Sequence, residues 1–265
     1  MAILETKDLT RRYGTLTAVD KASISVDTGE VFGLLGPNGA GKTTMIKMLT
    51  TLLPPTSGQA WVADFDVRRR GPEVRRSIGY VPQAISADGQ LTGYENLLIL
   101  AKLYDIPRCE RETRIRYALS FMGLADSADK MVSDYSGGMI RRLEIAQSMM
   151  HRPRVMFLDE PTLGLDPGAR AAVWQHIKRL QTDFRMTILL TTNLMEEADS
   201  LCNRVAIMNL GKVAVIGTPG DLKKSINKEK ATLDEVFIHY TGEKLESPGG
   251  YRETWRRRRT ARRLG

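Results

Sequence analysis

Nine consecutive residues, Gly36, Pro37, Asn38, Gly39, Ala40, Gly41, Lys42, Thr43 and Thr44, follow a short apolar run from Val31 to Leu35. Gly, four residues, Gly, Lys and then a hydroxyl residue is a pattern that holds phosphates. The glycines let successive N–H groups curl round the oxygens, the lysine reaches the β and γ oxygens, and the Thr43 hydroxyl can ligate magnesium. A helix carrying Met45, Ile46, Met48 and Leu49 should follow, and its N-terminus favours anions. A second group is Asp159 and Glu160, delivered by the apolar run Val155 to Leu158. Asp159 can hold magnesium, mostly through water, while Glu160 can polarise an attacking water. A third group contains no acid or base. Ser136, Gly137 and Gly138 open a run in which Met139, Leu143, Ala146 and Met150 recur at helical spacing. A helix N-terminus with bare backbone and one hydroxyl suits a phosphate.

These residues need a scaffold. Residues 1 to about 30 alternate apolar positions, as in Ala22, Ile24 and Val26, before a turn at Asp27 to Gly29, which predicts a small antiparallel unit. From about 88 to 150 the pattern turns helical, with Leu97, Leu98, Ala101 and Tyr104 expected on one face and Ile115, Leu119 and Met122 on another. From Val155 strands and helices alternate: Val155 to Leu158, a helix near Ala169 to Gln181, Thr187 to Thr191, then Val205 to Met208. Such alternation predicts a mostly parallel sheet.

Composition narrows the field. With 265 residues, 42% of them hydrophobic, the chain can bury a sizeable core. No stretch approaches the roughly 18 apolar residues of a membrane span, and Met1 to Leu9 lacks the order of a secretion signal. Cys109 and Cys202 stand in no metal or redox spacing, which fits a reduced setting. Seven arginines against Glu253 from Ser247 onward supply +6 of the net +8, so the body shows no extended phosphate-tracking face and no nucleic-acid partner is expected.

Ser136 to Gly138, placed between the phosphate loop and the Asp159–Glu160 pair, resemble the Ser-Gly-Gly core of the signature sequence of ABC transporter nucleotide-binding domains. The resemblance covers roughly residues 3 to 242. It implies an α/β fold: a P-loop (RecA-like), mostly parallel sheet core with an N-terminal antiparallel β subdomain and a helical subdomain insert. The implied domain spans 1–243, with the antiparallel part at 1–30 and 57–66, the core at 31–87 and 151–215, the helical subdomain at 88–150, and an accessory segment at 216–243. It further implies ATP and Mg2+ as ligands, with Lys42, Gln83, Glu160 and Asn193 around the hydrolysed phosphate and Thr43, Gln83 and Asp159 around the metal. Tyr13 falls where the family stacks an aromatic on adenine, and Ser136 to Gly138 would reach the γ-phosphate of a second ATP-binding subunit, identical or not. Gly164, Leu165 and Asp166 resemble the loop through which the two subunits communicate.

The other implied partner is an integral membrane permease, docking near Gln83 with Ile85, Leu91 and Tyr94, flanked by Glu95 and Asn96, as candidates. It would hold the chain peripherally on the cytoplasmic face of the membrane. Leu233 to Gly242 resembles the end of the branch serving antibiotic and multidrug export (ABC-2 type) permeases. Two departures stand out: Tyr135 and Met139 replace the commoner leucine and glutamine, and Asn193 stands where histidine is usual; an asparagine can donate a neutral hydrogen bond but can neither carry an imidazolium's charge nor shuttle a proton. An ATP-hydrolysing transporter subunit is the leading expectation. The alternative is a nucleotide-gated regulator or assembly protein with little hydrolysis; a DNA-repair or translation factor is disfavoured by the weakly charged body. For the arginine tail with Trp255, adsorption to an anionic leaflet and a solvated end both remain, the second favoured because Pro248, Gly249 and Gly250 break any helix.

Overall fold

The computed structural model describes residues 1–226, 228 and 230–242, so the arginine-rich tail lies outside the described residues. The chain begins with β1 (Ala2–Tyr13), β2 (Leu16–Ala22), β3 (Ser25–Asp27), β4 (Val31–Leu35) and α1 (Lys42–Leu49). Next come β5 (Ser57–Val62), β6 (Phe65–Asp66), α2 (Gly71–Ser77) and β7 (Ile78–Val81). Three helices follow, α3 (Gly93–Leu103), α4 (Arg108–Phe121) and α5 (Gly137–Met149). The remainder comprises β8 (Val155–Asp159), α6 (Pro167–Phe184), β9 (Thr187–Thr192), α7 (Met195–Leu201), β10 (Arg204–Asn209), β11 (Lys212–Gly217), α8 (Pro219–Ser225) and α9 (Leu233–Thr241).

Two sheets form. The first is antiparallel, ordered β2-β1-β5-β6, with β3 also paired to β1. The second runs β11-β10-β4-β9-β8-β7 and is parallel except for the β10–β11 hairpin. The sequence pattern ends its strands at Met208 and misses β11. The reason lies in the turn: Leu210 and Gly211 both take positive φ, the geometry of a tight two-residue hairpin, without the Asn-Gly or Asp-Gly pair that usually announces one.

Every residue of β4, β8 and β9 is buried, as expected of strands covered on both faces. Their side chains alternate between two cores. Val31, Leu35, Met156, Leu158, Ile188 and Leu190 face the layer of α3 to α7, while Phe32, Leu34, Val155, Phe157 and Leu189 face α1 and the antiparallel sheet. At about 25 cal/mol per Å² of apolar surface, these two layers supply the main stabilisation of the sheet that carries the site.

The helical insert starts at Thr92, whose side chain accepts from the Glu95 N–H while Glu95 returns a bond to Thr92, a reciprocal cap. One expectation for this region fails. Tyr104 is not on the buried face with Leu97 and Ala101; it ends α3, 41% exposed, and its ring stacks on His151. Asn96, which neighbours the apolar docking candidates, is buried, and its side chain bonds the backbone of Asp88 and Thr92.

Candidate functional site

Parallel strands place their carboxyl ends on one edge, where α/β sheets bind ligands. Leu35 is level with Thr192, Asp159 with Thr191, and Val81 with Leu158. The residues just past those ends, Gly36 to Thr44, Gln83, Glu160 and Asn193, therefore collect at one edge although they span more than half of the chain.

The loop from Gly36 to Gly41 can be built only with glycine at two positions. Gly36 has φ 156° and a Cβ there would lie 2.2 Å from the Met208 carbonyl oxygen; Gly41 has φ 102° and a Cβ would lie 2.4 Å from the Ala18 oxygen. Gly41 then caps α1, so Lys42, Thr43 and Thr44 open the helix. The Lys42 ammonium is buried and donates to the carbonyls of Gly36 (2.7 Å) and Pro37 (3.1 Å), with Glu160 Oε1 3.5 Å away. Burial pulls its pKa down, and the carboxylates of Glu160 and Asp159 oppose that pull.

Asp159 ends β8 almost wholly buried. Its Oδ1 accepts from the hydroxyls of Thr43 (3.1 Å) and Thr191 (2.6 Å), whereas Oδ2 is buried and has no hydrogen-bond partner among the described residues. An orphaned carboxylate oxygen beside a hydroxyl at a helix N-terminus suits a small, hard cation that keeps water and phosphate oxygens as its other ligands. The described residues contain no group of three or more His, Cys, Asp or Glu placed to hold a metal by protein ligands alone. Glu160 takes φ 49°, with its N–H bonded to the Thr191 oxygens at 3.0 and 3.1 Å. That left-handed turn aims its carboxylate back to Lys42 and to Gln83, whose Nε2 donates to Oε2 at 3.0 Å.

The remaining sequence candidates make no hydrogen bond to Lys42, Asp159 or Glu160 among the described residues. Ser136 caps α5, its hydroxyl accepting from the Met139 N–H (3.3 Å); Ser136 and Gly137 are exposed, and no hydrogen bond joins Ser136 to Gly138 with Gly36 to Thr44 among the described residues. Tyr135, where leucine is commoner, is buried and donates from its hydroxyl to the Ser127 carbonyl; any Cβ at Gly93 would strike that oxygen at 2.2 Å, so Tyr135 and Gly93 fit as a pair. Asp166 caps α6 through the Ala169 N–H (2.9 Å). Tyr13 is 45% exposed with the Arg11 guanidinium over its ring, so it is not a core residue. Asn193 is half-buried in the turn between β9 and α7. His151 bonds the Ile78 carbonyl, and neither it, His176 nor His239 hydrogen-bonds Glu160 or Asn193 among the described residues.

Three polar residues behind the site escaped the sequence reading. On α5, buried Arg141 donates to the carbonyls of Pro82 (2.8 Å) and Gln83 (3.2 Å), and buried Glu144 accepts from the Ser86 N–H (2.5 Å) and hydroxyl (3.0 Å). On α7, Glu197 is 1% exposed and accepts from the Thr162 hydroxyl (2.7 Å) and the Trp174 indole N–H (2.9 Å). Burial raises its pKa despite those bonds and one from Thr192. The only local signal is charge at helix positions whose neighbours are apolar, and that signal does not name the contacts.

A family model described as ABC transporter matches residues 19–163. The daunorubicin/doxorubicin resistance ATP-binding protein DrrA of Streptomyces peucetius is 44% identical over 230 residues, covering 87% of this chain and 69% of that protein. A solved ATP-binding subunit of an ABC transporter superposes with a TM-score of 0.79 at 30% identity over 90% of this chain and 99% of that one. An ATP-binding cassette solved as a dimer in a post-hydrolysis state with ADP and phosphate gives a TM-score of 0.72 at 25% identity, over 81% of this chain and 98% of the other.

Proposed function

Because the chain belongs to the ABC transporter family, as an ATP-binding subunit with an ATPase domain, we propose that two such subunits close around Mg-ATP and drive a membrane permease that exports its substrate. The observation that carries this is the convergence on Glu160: its carboxylate lies 3.5 Å from Lys42 Nζ and 3.0 Å from Gln83 Nε2, one residue beyond the Asp159–Thr43 pair.

The residues divide the work. Lys42 and the amides of Gly36, Pro37, Asn38, Gly39, Ala40, Gly41, Thr43 and Thr44 grip the phosphates, and Tyr13 offers its exposed ring to the base. Thr43 and Asp159, with Gln83 nearby, would hold Mg2+, which would supply charge neutralisation to the phosphates. Glu160 orients and deprotonates the attacking water, and Gln83 holds that carboxylate in place. The second subunit's γ-phosphate is met by Ser136 to Gly138, with Asp166 at the seam; the exposure of Ser136 and Gly137 supports this. The dimeric ADP- and phosphate-bound neighbour supports the pairing, and the resistance function in the name of the Streptomyces relative supports export. No described helix is long and apolar enough to cross a membrane. In this proposal the membrane step belongs to the permease, which seats the chain on the cytoplasmic face.

Asn193 supplies a neutral hydrogen bond where imidazole could carry charge, so hydrolysis is real but slow. Phosphate release by wild type, Asn193→His and Glu160→Gln tests the proposal. Wild type should exceed Glu160→Gln, and Asn193→His should exceed wild type by about 10-fold or less. Wild-type turnover no higher than that of Glu160→Gln would sink the reading.

A further inference from the structure

One face of α5 holds a loop rather than a core. Arg141, Glu144 and Gln147 recur every third residue, which puts them on one side of the helix. Arg141 bonds the carbonyls of Pro82 and Gln83, and Glu144 takes both the N–H and the hydroxyl of Ser86. Gln147 reaches Asn96 (3.3 Å), whose side chain in turn brackets Asp88 through its N–H and carbonyl. The segment from 82 to 88 is thus tied by buried side chains at both ends, while Ala84 and Ile85 between them stay exposed.

Stability alone is a poor reason for this arrangement. Arg141 and Glu144 pair at 3.0 Å with both side chains under a tenth exposed, and well-packed apolar residues of similar volume usually serve a fold as well as or better than a buried ion pair. What apolar residues could not do is fix carbonyl positions. The planar guanidinium can address two acceptors at once, and here its two acceptors flank the residue whose side chain touches Glu160.

We propose that Arg141 and Glu144 are positioning residues for Gln83, locking its loop to the helix that presents Ser136, so that α5 and the Gln83–Glu160 contact shift as one body. This rests on the proposed ATPase reading. A hydrogen bond weakens steeply once it is stretched or bent, so a displacement of α5 by a partner's phosphate is felt at the 3.0 Å bond between Gln83 and Glu160. The helix cap thereby reports its occupancy to the hydrolytic carboxylate of its own subunit.

The test uses the full chain as wild type, Arg141→Ala, Arg141→Lys, Gln83→Ala and the Arg141→Ala/Gln83→Ala pair, with ATP turnover and amide hydrogen exchange as readouts. Arg141→Ala should lower kcat about 10-fold with KM for ATP within about twofold. The double variant should be no slower than Gln83→Ala, because an effect that passes through Gln83 vanishes without it. Arg141→Lys should restore only part of kcat, since an ammonium lacks the fork that spans two carbonyls. Exchange at residues 83–88 should accelerate about 10-fold in Arg141→Ala while Gly36 to Thr44 stay unchanged. If Arg141→Ala does not fold, Glu144→Gln carries the same measurements. Additive losses in the double variant, unchanged kcat, or unchanged exchange at 83–88 overturns the inference. A wild type without turnover defeats the ATPase reading instead, and the exchange data still decide whether the clamp exists.

Discussion

Around Lys42 the chain answers its own chemistry, and around Ser136 it does not. The lysine has two carbonyls and a carboxylate within reach, Asp159 has two hydroxyls, and Glu160 has Gln83, all from the same chain. Among the described residues the Ser136 hydroxyl has only the Met139 N–H of its own helix, and the glycine after it is exposed. The two regions belong to one function only if something from outside meets the second. A phosphate already held by another copy of the first region has the right charge for a bare helix N-terminus.

The largest effect should come from breaking the self-sufficient side. Lys42→Ala removes one partner of a buried charge pair and leaves the Glu160 carboxylate and the Gly36 and Pro37 carbonyls without their ammonium donor. Truncations of that kind typically cost about 2–5 kcal/mol of binding. Isothermal titration with Mg-ATP should show affinity falling by roughly 30-fold or more on that basis; affinity within a factor of about two of wild type would detach Lys42 from the phosphates.

Breaking the other side should spare nucleotide binding. Gly137→Asp sets a negative charge at an exposed helix N-terminus where a γ-phosphate is proposed to arrive, with only the Leu165 side chain (3.4 Å) near the new Cβ. In a Glu160→Gln background, light scattering with Mg-ATP should then show monomer in place of dimer, while Mg-ATP affinity changes by about twofold at most. If the dimer persists, Ser136 to Gly138 are not at the seam. The contrast between the two variants, one losing the ligand and the other only the partner, is what the two-region comparison predicts.

The difference between the regions also separates what could be read from the sequence. The phosphate loop and the Asp159–Glu160 strand end are local patterns, set by glycines that one turn requires and by a run of buried apolar residues, so their positions were legible before any fold was known. The faces of the α3 to α5 insert were harder, because Tyr104 and Asn96 are governed by contacts with His151 and Asp88 rather than by helical period. Arg141 and Glu144 were illegible for the same reason: the loop they hold, at Pro82, Gln83 and Ser86, lies more than 50 residues away in the chain. Tyr135 looked like a defect in a motif and is matched by Gly93, 42 residues earlier, which leaves room for its hydroxyl.

The smallest effect probes how the self-sufficient side is braced. Glu197 fastens Thr162, two residues past Glu160, to Trp174 on α6. Its pKa is raised because burial penalises the carboxylate. In the unfolded chain the group ionises at the ordinary value, so above that pH the folded state binds more protons than the unfolded one. Stability from this group is therefore full below the unfolded pKa and declines as pH rises through the folded pKa. Glu197→Gln keeps an oxygen that accepts from both Thr162 and Trp174 but never ionises, so it escapes the decline. The difference in Tm between Glu197→Gln and wild type should grow in favour of the variant as pH rises above the ordinary carboxylate range, by about 2–4 °C for each kcal/mol relieved. A Tm difference that is flat with pH, or that moves toward wild type, would show that the carboxylate is held charged by its three hydrogen-bond donors and that burial does not set its state.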